Sequence, residues 1–312
     1  MSAKRIGVTI AAVAILASAC GRLNDGGPGA GSSGPSGTSG GIAHPTGADE
    51  LVLRVEYQGG FVPYEFTLSS VPFWSLFGDG TLIVTGPQIE IHPPPALPNL
   101  LRTSITEEGV QAILEAARDA GLMDGDKDYG DMCIADAATT VFTTNANGST
   151  SVVSAYALDV GVAGATGAEG SGAGGSTGAP AGTCGSKEDA KARAALAGFQ
   201  ATLGDLKSWL PKGSVGEETS FDPTEMRVYV LPYQGDPELP QEPMDWPLGT
   251  PLSGFGEPLA NDPQTRCGVV SGDEFEQVYA AGQTANQLTP WESDGTTYRL
   301  ILRPLLPDER GC

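Results

Sequence analysis

The chain has 312 residues, with 38 acidic against 17 basic side chains and a net charge of −21 near neutrality. A charge of that sign repels nucleic acid and anionic lipid at long range, so neither is expected as a partner. The length suffices for about two domains plus linkers.

The first elements are targeting signals. Lys4 and Arg5 precede an apolar run from Ile6 to Leu16, then Ala17-Ser18-Ala19 lead into Cys20. The run is too short to span a bilayer as a permanent helix, so residues 1–19 read as a cleaved signal peptide. Small residues ahead of a cysteine resemble the bacterial lipobox, with Ala17 where leucine is commoner. That resemblance implies acylation of Cys20, by palmitate or a similar chain, and hence a lipoprotein; the alternative is an ordinary signal peptide with a chance cysteine. Two or more acyl chains anchor stably where one is marginal. The expected location is the outer face of the cell membrane, with lipid on Cys20 as the membrane contact.

Residues 20–48 are the lipidated cysteine and a tract of Gly, Ser, Pro, Ala and Thr. Such a tract buries too little apolar surface to offset its ordering entropy, so it reads as a flexible tether with a reach of roughly 30 Å. His44 lies in it, with nothing to hold it.

The patterns beyond are α+β: two small domains with antiparallel sheets and packed helices, at 49–212 and 225–312. Leu51, Leu53, Val55 and Tyr57 alternate with Val52, Arg54 and Glu56, as in a strand with one better-buried face. Leu76 to Val84 is a hairpin, with Asp79-Gly80 supplying the positive φ angles of its turn. Ile89 and Ile91 suggest a short strand, ended by Pro93-Pro94-Pro95. Ser104-Ile105-Thr106-Glu107 is a capping-box sequence opening a helix whose Val110, Ile113, Leu114 and Ala117 share a face. Asn147-Gly148 turns a second hairpin between Val141-Phe142 and Val152-Val153. Residues 161–185 form a disordered insertion. Ser186 to Leu210 is the longest helix, with Leu196, Phe199, Leu203, Leu206 and Leu210 as its stripe and Pro211 as its stop.

In the second domain, a strand at Val228 and Val230 precedes a Pro-rich excursion from Pro232 to Pro263. Cys267 to Val270 follows, then a helix capped by Ser271 with Glu274 completing the box. The last strand alternates Tyr298, Leu300 and Leu302 with Arg299, Ile301 and Arg303.

Besides Cys20 the cysteines are Cys133, Cys184, Cys267 and Cys312. An even number in an oxidising compartment indicates two disulfides. Cys133–Cys184 and Cys267–Cys312 are preferred among the three pairings, because each bond then stays within one domain.

The first domain resembles a bacterial secreted domain family to which no activity is attached. The family has a G-x-C-P-x-Y turn, a G-D-G-x-V hairpin, a helix ending in Ala-Gly-Phe or Ala-Gly-Leu, and D-x-P before a later strand. Here these are Gly60-Phe61-Val62-Pro63-Tyr64-Glu65-Phe66, Gly78-Asp79-Gly80-Thr81-Leu82, Ala120-Gly121-Leu122 and Asp136-Ala137-Ala138. The turn cysteine is replaced by Val62, the aromatic is Phe66, and the proline after the aspartate is missing. The whole chain also resembles lipoproteins of GC-rich actinobacteria, including the ending Leu302 to Pro307. The resemblance implies a shared fold and no activity.

Catalytic constellations are scarce. His92 is the folded histidine that a triad or histidine metal site would need, and it sits between an alternating segment and three prolines. G-x-S-x-G occurs at Gly37 and Gly174, and G-x-G-x-x-G at Gly170, each without the strand that would frame it. Asp124, Asp126 and Asp128 imitate the first half of an EF-hand calcium loop, but Tyr129 replaces the needed glycine and Ala135 the bidentate glutamate. Arg227, Arg266, Arg299, Arg303 and Arg310 either recognise an acidic ligand or, more commonly, pair with the domain's own acids. Arg299 and Arg303 share a strand face, with Tyr298 and Trp291 placed near them. Trp74, Trp209, Trp246 and Trp291 read as packing residues.

The expectation is a non-enzymatic, lipid-anchored envelope protein that needs no cofactor and binds an extracellular protein or glycan. The alternatives are an envelope hydrolase with convergent carboxylates, and an inhibitor of secreted proteases presenting a braced loop between Pro237 and Pro263.

Overall fold

The computed structural model describes residues 40–130, 135–158 and 187–312, and all of these lie in one compact unit. The fold is α+β, with two sheets and four helices among the described residues.

The first sheet has eight strands. In chain order they are β1 (Leu51–Gly59), β2 (Trp74–Phe77), β3 (Thr81–Thr85), β4 (Leu100–Ser104), β5 (Lys127–Tyr129), β6 (Ala138–Ala146), β7 (Ser149–Tyr156) and β8 (Thr219–Ser220). Their spatial order is β5-β7-β6-β1-β2-β3-β4-β8, antiparallel except at β5–β7. A bulge between Leu51 and Leu53 breaks the simple alternation expected of β1. Val52 therefore joins Leu53 and Val55 in the main core, while Leu51 turns to the other face beside Phe77.

Two helices cover the main-core face, α2 (Glu107–Asp119) and α3 (Lys187–Leu203). Val110, Ile113, Leu114 and Ala117 of α2 are all buried there. The N-cap of α2 is Thr106, whose hydroxyl accepts from Gly109 N–H at 3.4 Å; Ser104 belongs to β4 instead. Helix α3 is shorter than the stripe suggested. It stops at Leu203 before Gly204, and Leu206 to Ser208 form a 3₁₀ turn that still buries Leu206 and Leu210.

Six strands make the second sheet: β9 (Glu225–Pro232), β10 (Met244–Asp245), β11 (Glu257–Leu259), β12 (Asp262–Ser271), β13 (Pro290–Ser293) and β14 (Thr296–Pro304), in the order β10-β13-β14-β9-β12-β11. Helix α4 (Gly272–Gly282) packs on one face through Phe275 and Val278, with Trp246, Trp291 and Phe255 in the same core. Ser271 is its N-cap residue, but its side chain makes no capping hydrogen bond. The opposite face carries Tyr229, Leu231, Cys267 and Ile301 and is partly covered by Leu68. Leu68 belongs to α1 (Tyr64–Ser69), a short helix of the first half of the chain.

Two other segments bind the halves together. Residues 93–97 do not end a strand, since Ile89 and Ile91 are exposed in irregular chain; they run to the second sheet, where Pro95 bridges Asn286 and Leu97 enters the core. After β14, Leu306 packs against Phe77 and Ile83 of the first sheet, and Asp308 accepts from Arg54 at 2.7 Å. Cys267 and Cys312 stand at disulfide distance, the pairing expected, with 6.0 Å between Cα atoms. Cys20, the Cys133–Cys184 pair and the insertion at 161–185 lie outside the described residues.

Ordered chain begins earlier than the expected tether boundary. Ile42 is buried, its N–H and C=O both bonded to Gln111, and Ala43 accepts from Asn147 N–H at 2.7 Å. His44 is held as well. Its ring contacts Pro45 O and Glu107, and its side chain is only 5% exposed. Among the described residues no helix is long and apolar enough to cross a membrane.

Candidate interaction surface

The end of β1 and the segment that follows it carry five of the nine large apolar side chains exposed among the described residues. Gly59 and Gly60 both take positive φ (68° and 86°), a conformation open to glycine that turns the chain sharply off the end of β1. Phe61 N–H then donates to Asp136 O at 3.1 Å, pinning the turn to the start of β6. Pro63 opens α1, and none of the six residues of that helix is buried.

What holds α1 is its contact with the second sheet. Glu65 meets Arg299 at 3.3 Å, Ser70 O accepts from Arg303 Nε at 2.7 Å, and Leu68 lies against Tyr229, Leu231 and Ile301. With that side docked, the remaining side chains face water. Phe61 is 88% exposed, Phe66 56% and Tyr64 47%; Val62 and Tyr57 are exposed too. Single exposed apolar residues are ordinary, but here five fall within ten residues, and three of them, Tyr57, Val62 and Phe66, line one recess.

Beside Phe66 the surface dips into an open pocket of about 190 Å³. Tyr57, Val62 and Phe66 are its apolar wall, and Glu56, Gln58 and Thr67 contribute polar groups. Glu56 accepts from Gln58 Nε2 at 2.8 Å and has no Lys or Arg partner among the described residues. Tyr57 is braced from behind by stacking on Phe73 at 4.8 Å. Burial, then the charge of Asp262 and the nearby Tyr229, push the Tyr64 phenol above its ordinary value. Of the residues that line the pocket, Glu56 is the one charged group.

Other sequence candidates are dispersed. Asp124 pairs with Lys127 at 3.1 Å, Asp126 accepts from Val152 N–H at 2.8 Å, and Asp128 accepts from Ser154 Oγ at 3.0 Å. Each carboxylate thus has its own partner, and among the described residues no group of three acidic, cysteine or histidine side chains is placed to hold a metal. His92 is exposed and carries no hydrogen bond among the described residues. Glu108 and Glu309 are held below the usual carboxylate range, opposite to the shift a general acid requires.

The arginines serve the fold. Arg266 donates to the carbonyls of Phe255 and Gly256, Arg227 to those of Gly311 and Arg310, and Arg303 to Glu309. Tyr298 does not accompany Arg299 and Arg303, because it packs with Trp291 on the other face of the sheet. The Pro-rich excursion is divided. Trp246, Leu252 and Phe255 enter the core, while residues 234–240 are an exposed loop with a turn at Asp236 and a brace from Asn286 to Gln241 at 2.7 Å. A larger hollow of about 410 Å³ lies where Phe221 to Glu225 pass beneath Leu305 to Pro307, at the join of the two sheets.

No protein-family model, curated protein or solved structure matches this chain. What the surface can do is therefore read from its own residues. In the sequence Gly60 to Phe66 stood out only as a turn shared with the family it resembles, and nothing in that motif marks its aromatic side chains as exposed.

Proposed function

We propose that the protein is an exported, lipid-anchored envelope protein whose folded body binds a partner protein through the aromatic segment 57–66. The signal-like N-terminus and Cys20 support export and anchoring. The exposure of five large apolar side chains on a braced turn and helix carries the binding reading.

The position of that patch fits presentation outward. Ala43 meets the hairpin turn at Asn147, so the chain leading from Cys20 enters at the Leu51 end of β1. The patch lies at the Gly59 end, beside Ala138. Nine strand residues separate the two by about 30 Å.

Two measurements test this reading. Cys20→Ser should move the protein from the membrane fraction to the medium. A photo-crosslinking side chain at Phe61 should capture one discrete protein on intact cells, and the same group at Thr150, on the opposite hairpin, should not. Equal capture from both positions, or none from Phe61, rejects the contact surface.

A further inference from the structure

The chemistry of the pocket beside Phe66 narrows the partner, granted that the segment is a contact surface. Glu56 supplies a carboxylate at the mouth of an apolar recess and has no cation of its own among the described residues. The recess is walled by two aromatic rings, Tyr57 and Phe66, and by Val62. Aliphatic stems pack on such walls, and cations are drawn both to aromatic faces and to a part-desolvated carboxylate.

Charge disfavours the other occupants. A second copy of this chain is disfavoured at long range, because each sequence carries −21. An anionic lipid surface is repelled for the same reason, and an uncharged glycan can donate hydroxyls to Glu56 but brings it no counter-charge.

We infer that the pocket takes a lysine or arginine side chain of a partner protein, its stem on Tyr57, Val62 and Phe66 and its head on Glu56. Apolar residues flanking that cation cover Phe61 and Tyr64. The partner is thus a segment in which basic and apolar residues alternate closely, and the acidic body steers it in at low salt.

The test uses the full chain carrying Cys20→Ser, with its disulfides oxidised, and three fluorescent peptides: Leu-Arg-Phe-Lys-Leu, Leu-Gln-Phe-Gln-Leu and Leu-Glu-Phe-Glu-Leu. Anisotropy titrations should rank them basic, neutral, acidic. Glu56→Gln should weaken the basic peptide about tenfold and leave the neutral one unchanged. Raising salt from about 50 to about 500 mM should weaken the basic peptide alone. Phe66→Ala, checked for an unchanged melting curve, should weaken both the basic and the neutral peptide. Equal binding of all three peptides, an unaltered basic titration in Glu56→Gln, or no binding by any of them overturns the cation pocket. The contact surface would survive those results if Phe61 still crosslinks a partner on cells, and would fall with the crosslink.

Discussion

Arg303 shows what one side chain contributes to this fold. Its two terminal nitrogens donate to Glu309 at 2.8 and 2.7 Å, and its Nε reaches Ser70 O. Burial pushes the Glu309 carboxyl up, but the hydrogen bonds and charge of Arg303, the Leu306 N–H and the charge of Arg227 outweigh it and hold the group low. A carboxyl depressed in the folded state contributes stability that is complete above its unfolded value of about 4.3 and is lost as pH falls through the folded value. The segment after β14 should therefore loosen below about pH 4, seen as faster amide exchange at Leu305 and Leu306, and Glu309→Gln should abolish that acid step. Arg303→Met leaves Glu309 buried without its cation and should cost about 3 kcal/mol in urea unfolding. That Arg299, Arg303 and Arg310 pair with the protein's own acids was legible from composition, whereas Arg227 and Arg266 donate to backbone carbonyls instead. Which acid each one takes was not, because Glu65 and Asp49 lie far away in sequence and Glu309 is reached only through the turn at Leu306.

At the scale of elements, apolar periodicity was readable and boundaries were not. The buried face of α2 followed directly from spacing, yet the capping box at Ser104 competed with a strand position and lost. Ser104 stays in β4, and Thr106 caps. Thr106→Ala should cost about 1 kcal/mol, and Ser104→Ala should leave the helix end unaffected, both measured by denaturant midpoint. The turn between β2 and β3 is a similar case. Only Gly80 of the Asp79-Gly80 pair takes positive φ, and a Cβ there would stand 2.1 Å from Ile105 O. Gly80→Ala should therefore cost about 3 kcal/mol or more, combining backbone strain with that clash. At Asn147-Gly148 and Asp294-Gly295 both residues take positive φ, the second turn being one that sequence reading overlooked. Ile89 and Ile91 alternate as a strand would, but the chain there leaves the sheet to carry Pro95 to Asn286.

At the scale of the molecule, each sheet was visible in the sequence and their junction was not. The junction is made by side chains remote from one another in the chain: Phe77 and Ile83 against Leu306, Arg54 with Asp308, and α1 on β14. Leu306→Ala should destabilise by about 2–5 kcal/mol, and probes in both sheets should report one shared transition. Cys312→Ser opens a 45-residue loop and should cost about 2–4 kcal/mol under oxidising conditions, with no effect once the wild type is reduced. The course of β1 has a mechanical consequence. A tug on the chain ahead of Gly40 enters at one end of this strand, and a load hung on Phe61 would leave at the other. Ladders to β2 and β6 flank β1 along that line, so the pull loads many hydrogen bonds in shear together rather than peeling them apart singly. Strain between those two points would be shared across the middle of the sheet.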